Sequence, residues 1–139
     1  MKKFAIGLLA LMLVLASSAF ATIRYVSTTG AGNHTTPNDA WTAAVTGDTI
    51  LIGPGTYSVG SDLNRVNIRL TVIGSGWDQT IINMGTSVSW FVNGTGANRT
   101  SIEGLRINVT TTNPLIGAGN VDSTTIRRCL ISNPTSNQW

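Results

Sequence analysis

Thr100-Ser101-Ile102-Glu103-Gly104-Leu105-Arg106-Ile107 returns farther along the chain as Thr124-Thr125-Ile126-Arg127-Arg128-Cys129-Leu130-Ile131. Laid one over the other, Ile102 meets Ile126, Leu105 meets Cys129 and Ile107 meets Ile131, with polar residues between them. A pattern that returns after about 20–50 residues marks a repeat architecture, in which each unit buries its apolar face against the next. Leu70-Thr71-Val72-Ile73-Gly74 and Thr80-Ile81-Ile82 suit the same scheme at looser spacing. The register directs Ile102–Ile126, Leu105–Cys129 and Ile107–Ile131 inward. It also sets Glu103 beside Arg127, an unlike pair suited to an exposed ladder.

Composition points the same way. Gly, Ser, Thr and Asn make up 56 of the 118 residues after position 21. Such a chain is poor in helix formers and rich in turn and strand formers, which excludes a helical bundle. Charged residues are 11% of the chain, too few for a charged disordered tail. Positions 1–21 read as an export signal: Met1-Lys2-Lys3 is a basic start, positions 4–15 an apolar run, and Ala19-Phe20-Ala21 a small-x-small cleavage pattern. Cleavage is expected between Ala21 and Thr22, leaving one domain over 22–139, outside the cytoplasm or at the cell surface, and no stable membrane insertion. Both lysines belong to the signal. The remaining seven arginines and six acids balance to +1, with no clustered basic face for nucleic acid. Cys129 is the only cysteine, so no disulfide forms within the chain.

Strands are expected at residues 24–27, 49–52, 67–73, 80–84, 89–92, 101–109 and 124–132. A short helix is expected at 40–45, capped by Asn38 or Asp39 and ended by Gly47. The segments Tyr25-Val26-Ser27, Gly47-Asp48-Thr49-Ile50, Pro54-Gly55-Thr56-Tyr57, Leu70-Thr71-Val72-Ile73-Gly74-Ser75-Gly76 and Thr80-Ile81-Ile82 occur in this order. Together with the stretch 40–45 they resemble the start of a secreted right-handed parallel β-helix of the pectin-lyase-like superfamily. The resemblance covers residues 24–133. It implies an N-terminal capping strand and helix followed by coils of short parallel strands, with Gly and Asn at the sharp corners. The alternative architecture is an antiparallel β-sandwich, whose best support is the hairpin signal Asn93-Gly94.

The resemblance brings lyases, hydrolases and esterases into view, which use clustered acids, a basic residue and sometimes calcium. Asp39, Asp48, Asp62, Asp78, Glu103 and Asp122 are too dispersed in sequence to assemble a paired-carboxylate or calcium site by spacing. Asp48 and Asp78 stand in turn contexts that explain them structurally. Arg106-Ile107-Asn108 resembles the Arg-Ile-Lys segment of polygalacturonases without its lysine, and nothing is transferred from it. His34 reads as a solvated loop residue and Cys129 as a small hydrophobe. Arg127-Arg128 reads as two side chains alternating on a strand. Trp77, Trp90 and Trp139 are candidates for stacking on sugar rings, with core packing the default for each. No catalytic, cofactor or metal set is assigned.

The expected role is structural or surface-binding, with a polysaccharide or cell-surface glycan as partner. The alternative is the N-terminal part of a polysaccharide lyase or glycoside hydrolase. Residues 134–139 are too few for another coil, so an open last coil, end-to-end self-association and a longer natural product are also expected.

Overall fold

The computed structural model describes residues 20–61, 63–85, 90–109 and 116–132. In chain order the elements are β1 (Ile23–Val26), α1 (Pro37–Ala43), β2 (Thr49–Ile52), β3 (Gly55–Val59), β4 (Leu63–Val66), β5 (Thr71–Gly74), β6 (Thr80–Met84), β7 (Trp90–Asn93), a 3-10 turn (Thr95–Ala97), β8 (Thr100–Glu103), β9 (Arg106–Val109), β10 (Ile116–Gly119), β11 (Thr124–Arg127) and β12 (Leu130–Ser132). The strands form three sheets, ordered β1-β2-β5-β8-β11, β3-β6-β9-β12 and β4-β7-β10. All their pairings are parallel. The chain visits each sheet in turn and returns one strand farther along, which is a parallel β-helix. Gly94, expected to mark a hairpin in a sandwich, instead turns a coil corner at φ 86°.

The register read from the repeat is present: Ile102 pairs with Ile126, Glu103 with Arg127 and Ile107 with Ile131. Earlier coils keep the stacking but not the period. Thr49 pairs with Thr71 and Thr71 with Ser101, so the second of these steps along the chain is much the longer. Because parallel strands lie about 4.8 Å apart, inward residues of successive coils form ladders. Ile50, Val72 and Ile102 make one, Tyr57, Ile82 and Ile107 a second, and Val59, Met84 and Val109 a third, all buried. At the last described coil Ile126 and Ile131 remain 44% and 48% exposed, since no described strand lies beyond them. The inward ladder therefore exists in register, but its last rung is half-covered.

Several expected strands divide. Residues 101–109 form β8 and β9, broken by Gly104 at φ 69°; residues 124–132 form β11 and β12, broken by Arg128 at φ 50°. Asn67, at φ 59°, lies at a corner rather than opening a strand. β3, β4 and β10 were not foreseen as strands. The corner residues Asn67, Gly94 and Asn120 follow paired positions of β4, β7 and β10 and all have positive φ. Gly and Asn are the residues that enter this region at least cost.

The first coil is closed by β1 and α1. Pro37 occupies the first helical turn and Thr36 is the N-cap, its hydroxyl accepting from the Asp39 N–H at 3.2 Å. Thr36 takes this role from the expected Asn38 or Asp39 because proline fits the first turn, which sets the cap immediately before it. The helix stops at Ala44, whose N–H donates to Trp41, and Gly47 lies beyond in a corner. Ala40 and Trp41 are buried, and Trp41 meets Trp90 edge to face at 5.2 Å.

Asp48 fastens this cap. Its buried carboxylate accepts from the N–H of Thr22 at 2.7 Å, the N–H of Val45 at 3.0 Å and Arg24 Nε at 2.7 Å. Burial alone would raise its pKa. The backbone donors and the Arg24 guanidinium together outweigh that, and the pKa falls below the ordinary 3.8. A carboxylate depressed on folding adds stability above its unfolded pKa, and that contribution is lost as pH falls through the folded value. Thermal unfolding between pH 6 and pH 2 is therefore expected to show an acid-labile component starting below about pH 4 and missing in Asp48→Asn. A wild-type acid profile identical to that of the variant would contradict the assignment.

Leu105 is fully buried. Leu105→Ala is expected to cost about 2–5 kcal/mol in chemical unfolding; a loss under ~0.5 kcal/mol would place the residue outside the core.

Candidate functional site

The corner between the first and second sheets holds two residues in three of the coils: 53–54, 104–105 and 128–129. In the coil that contains β5 and β6 it holds five, 75–79. Insertions in a solenoid project from one face and are a common place for binding surfaces. This one carries Trp77, which is 48% exposed.

The insertion is firmly held. The Gln79 and Thr80 N–H groups both donate to the Gly76 carbonyl, at 3.1 and 2.8 Å, and the Gly76 N–H donates to the Gly104 carbonyl at 2.9 Å. Thr80 is fully buried. Its hydroxyl accepts from the Ser75 N–H at 2.9 Å and lies 3.2 Å from the carbonyls of both Ile52 and Gly53 in the preceding coil. One threonine thus ties both ends of the insertion to the stack. Arg106 places its guanidinium carbon 5.4 Å from the Trp77 ring centroid, a cation–π contact that orients the ring.

Around Trp77 the coil stacking gathers residues that are distant in sequence. A groove of about 400 Å³ is lined by Ser75, Trp77, Asp78, Glu103 and Arg128. It continues along Trp77 into a shallower one of about 300 Å³ bounded by Arg128, Cys129 and Leu130. Glu103 receives Arg127 Nη2 at 3.2 Å and also Arg128. Arg127 and Arg128 therefore do not alternate on a strand as expected. Arg127 ends β11, while Arg128 turns the corner, and both reach back to the same carboxylate. Arg128 and Arg99 are the two described residues with positive φ that are neither Gly nor Asn. A side chain in that region costs roughly 1–2 kcal/mol, a strain that tends to collect at functional positions.

The arrangement offers an aromatic face for the C–H side of a sugar ring, and beside it carboxylates and a guanidinium for hydroxyl groups.

The remaining candidates are placed elsewhere. Trp90 is core, edge to face with Trp41. His34 is bridged through its backbone to β1, accepting from Ser27 and donating to Tyr25, both at 3.0 Å. Cys129 is partly buried against the core, as a small hydrophobe would be. Asp39 is exposed beside the helix cap, and Asp122 is bonded to Asn98. Asp62 and Trp139 lie outside the described residues. Among the described residues there is no group of three or more His, Cys, Asp or Glu that could hold a metal ion. No protein-family model, no curated protein and no solved structure matches this chain, so its class rests on the geometry of the stacked coils.

The Thr80 tie has a measurable consequence. Thr80→Val retains the shape but strands the Ser75 N–H, and is expected to cost about 1–3 kcal/mol in urea unfolding. Trp77→Ala, at a half-exposed position, is expected to cost less than about 1 kcal/mol. The reverse order would mean that the insertion is held by the indole and not by the hydroxyl.

Proposed function

We propose that this is an exported β-helix protein that binds a polysaccharide, with Trp77 as the platform and Asp78, Glu103 and Arg128 as polar contacts. The observation that carries the reading is the half-exposed tryptophan on the one lengthened corner of its kind among the described residues, fixed by a buried threonine beside a groove that carries Asp78, Glu103 and Arg128. The ring rests against the Arg106 guanidinium and still keeps about half of its surface in water, where the tied insertion presents it at the mouth of a cleft. Sugar rings combine an apolar face with hydroxyl edges, and this groove offers partners for both. The resemblance of residues 24–133 to secreted pectin-lyase-like proteins supports the same substrate class, and the apolar run at 4–15 supports export.

Affinity gel electrophoresis against a panel of soluble plant, algal and bacterial polysaccharides tests the proposal. At least one polymer is expected to retard the wild-type chain. Trp77→Ala is expected to weaken that retardation at least tenfold while thermal unfolding stays within a few degrees of wild type. No retardation by any polymer, or equal retardation of a folded Trp77→Ala chain, would overturn it.

A further inference from the structure

A second lengthened corner lies at the opposite ends of the same strands. The corner before β5 holds four residues, 67–70, and so does the corner before β11, 120–123; the corner before β8 holds six, 94–99, including the 3-10 turn. Carrying the β5–β8 register back from Thr71 and Ser101 sets Arg69 beside Arg99. The bond from the Ser101 N–H to the Leu70 carbonyl, 3.0 Å, holds that alignment. Two guanidinium-bearing residues therefore come to the same end of adjacent coils of the first sheet. Both side chains are exposed and line one open cleft of about 580 Å³, together with Thr46, Thr95, Asn98 and Ser123.

Like charges placed opposite one another on neighbouring strands repel. Among the described residues neither arginine has a carboxylate within 4.0 Å. The acid on the cleft, Asp122, is turned to Asn98, which donates to it at 2.7 Å and accepts from its N–H at 2.9 Å. Arg99 also occupies the left-handed region at φ 65°, where Asn or Gly would be easier. Its corner is tied by a buried threonine, as the Trp77 corner is: the Thr100 hydroxyl accepts from the Leu70 N–H at 3.2 Å and donates to the Ala97 carbonyl at 2.8 Å.

We propose that the Arg69–Arg99 pair is a binding site for a tetrahedral oxyanion, the sulfate or phosphate group of a ligand. Each guanidinium presents a planar fork of donors. The three terminal oxygens of a sulfate or phosphate monoester point to several sides at once, so guanidiniums approaching from adjacent coils can both be met by one such group. The hydroxyls of Thr46, Thr95 and Ser123 supply further donors. The site is distinct from the Trp77 groove, and its occupation does not depend on that reading.

Titration calorimetry on the whole chain at constant ionic strength tests it, with sodium sulfate, sodium phosphate, dextran sulfate and unmodified dextran as probes against a chloride background. Saturable binding of an inorganic oxyanion or of dextran sulfate, but not of dextran, is expected. Arg69→Gln and Arg99→Asn should each weaken it at least tenfold. Arg99→Asn is the informative variant, because asparagine tolerates the backbone conformation and the fold is expected to be kept, as circular dichroism can verify. Tight binding of the inorganic ions themselves identifies a small anion as ligand; binding of dextran sulfate alone identifies an ester on a polymer. The proposal is overturned if no oxyanion binds beyond the chloride background, or if both folded variants bind as wild type does.

A separate observation carries a second inference. Thr22 N lies 2.7 Å from the buried Asp48 carboxylate, and the carboxylate's other oxygen holds Arg24. We infer that, if positions 1–21 are removed as the export reading requires, the freed α-ammonium of Thr22 becomes an ion-pair partner of Asp48 and completes the cap. In that step water hydrolyses the Ala21–Thr22 amide, its oxygen going to the Ala21 carboxylate and its protons to the Thr22 amine. The stretch 22–139 contains no lysine, so an amine-directed acetylating reagent reaches only that terminus. The amine's pKa is then raised on folding, so its contribution is present below about pH 8 and is lost as pH rises through the folded value. The exported chain is expected to melt at higher temperature than its acetylated form at pH 6.5. The margin should shrink at pH 10 and vanish in Asp48→Asn. Mass spectrometry that finds the mature chain beginning elsewhere overturns the export premise; a mature Thr22 terminus with no margin at pH 6.5 overturns the ion pair.

Discussion

Every feature of this molecule depends on the strand-to-strand spacing of parallel backbone hydrogen bonds. Once Thr49 is aligned with Thr71, the residues of each coil are committed to stand over their counterparts in the next. Inward positions must then be apolar and of matched shape, as Ile50, Val72 and Ile102 are, because a void or a charge there would be repeated against its neighbour. Outward positions face the same constraint with charge instead of volume. Glu103 between Arg127 and Arg128 satisfies it; Arg69 and Arg99, which line one cleft, have no such ion pair among the described residues.

The fold was legible wherever the coil length stayed constant. The alignment of residues 100–107 on 124–131 is the observed pairing, and the cap with its short helix was visible in residues 24–45. Legibility failed where length varied. The longer step from Thr71 to Ser101 hid the earlier register, because the lengthened corners within it shift every following position. β4 (Leu-Asn-Arg-Val) and β10 (Ile-Gly-Ala-Gly) are short, with few β-branched residues. Only the neighbouring coils make them strands. Corners were blurred for the opposite reason: Arg128 carries no local signal for a positive φ, so residues 124–132 read as continuous.

The site was legible in part. Trp77 and Trp90 were both candidates; Trp77 falls in a turn between the expected strands 67–73 and 80–84 and Trp90 within the expected strand 89–92, which alone does not tell which ring faces water. One lies on an insertion and the other lies in the third sheet against Trp41. Asp78 and Glu103 are far apart along the chain, and a reading confined to sequence spacing keeps them apart. Stacking closes that distance, since it sets successive coils side by side and brings both acids to one groove. The signal that could have found the groove was the lengthened corner itself, visible once the coils are aligned. The arginine pair was missed for the same reason.

The central claim is the register of the stacked coils, and methyl-to-methyl nuclear Overhauser effects test it most directly. In a chain labelled at Ile and Val methyls, Val72 should show contacts to Ile102, and Ile102 to both Val72 and Ile126. Val72 and Ile126 stand two strand spacings apart, about 9.6 Å, and should show a far weaker contact or none. The account predicts this serial pattern in the first sheet, and the same series Ile82–Ile107–Ile131 in the second. Strong contacts of Ile102 to methyls outside its ladder, with none to Ile126, would contradict it.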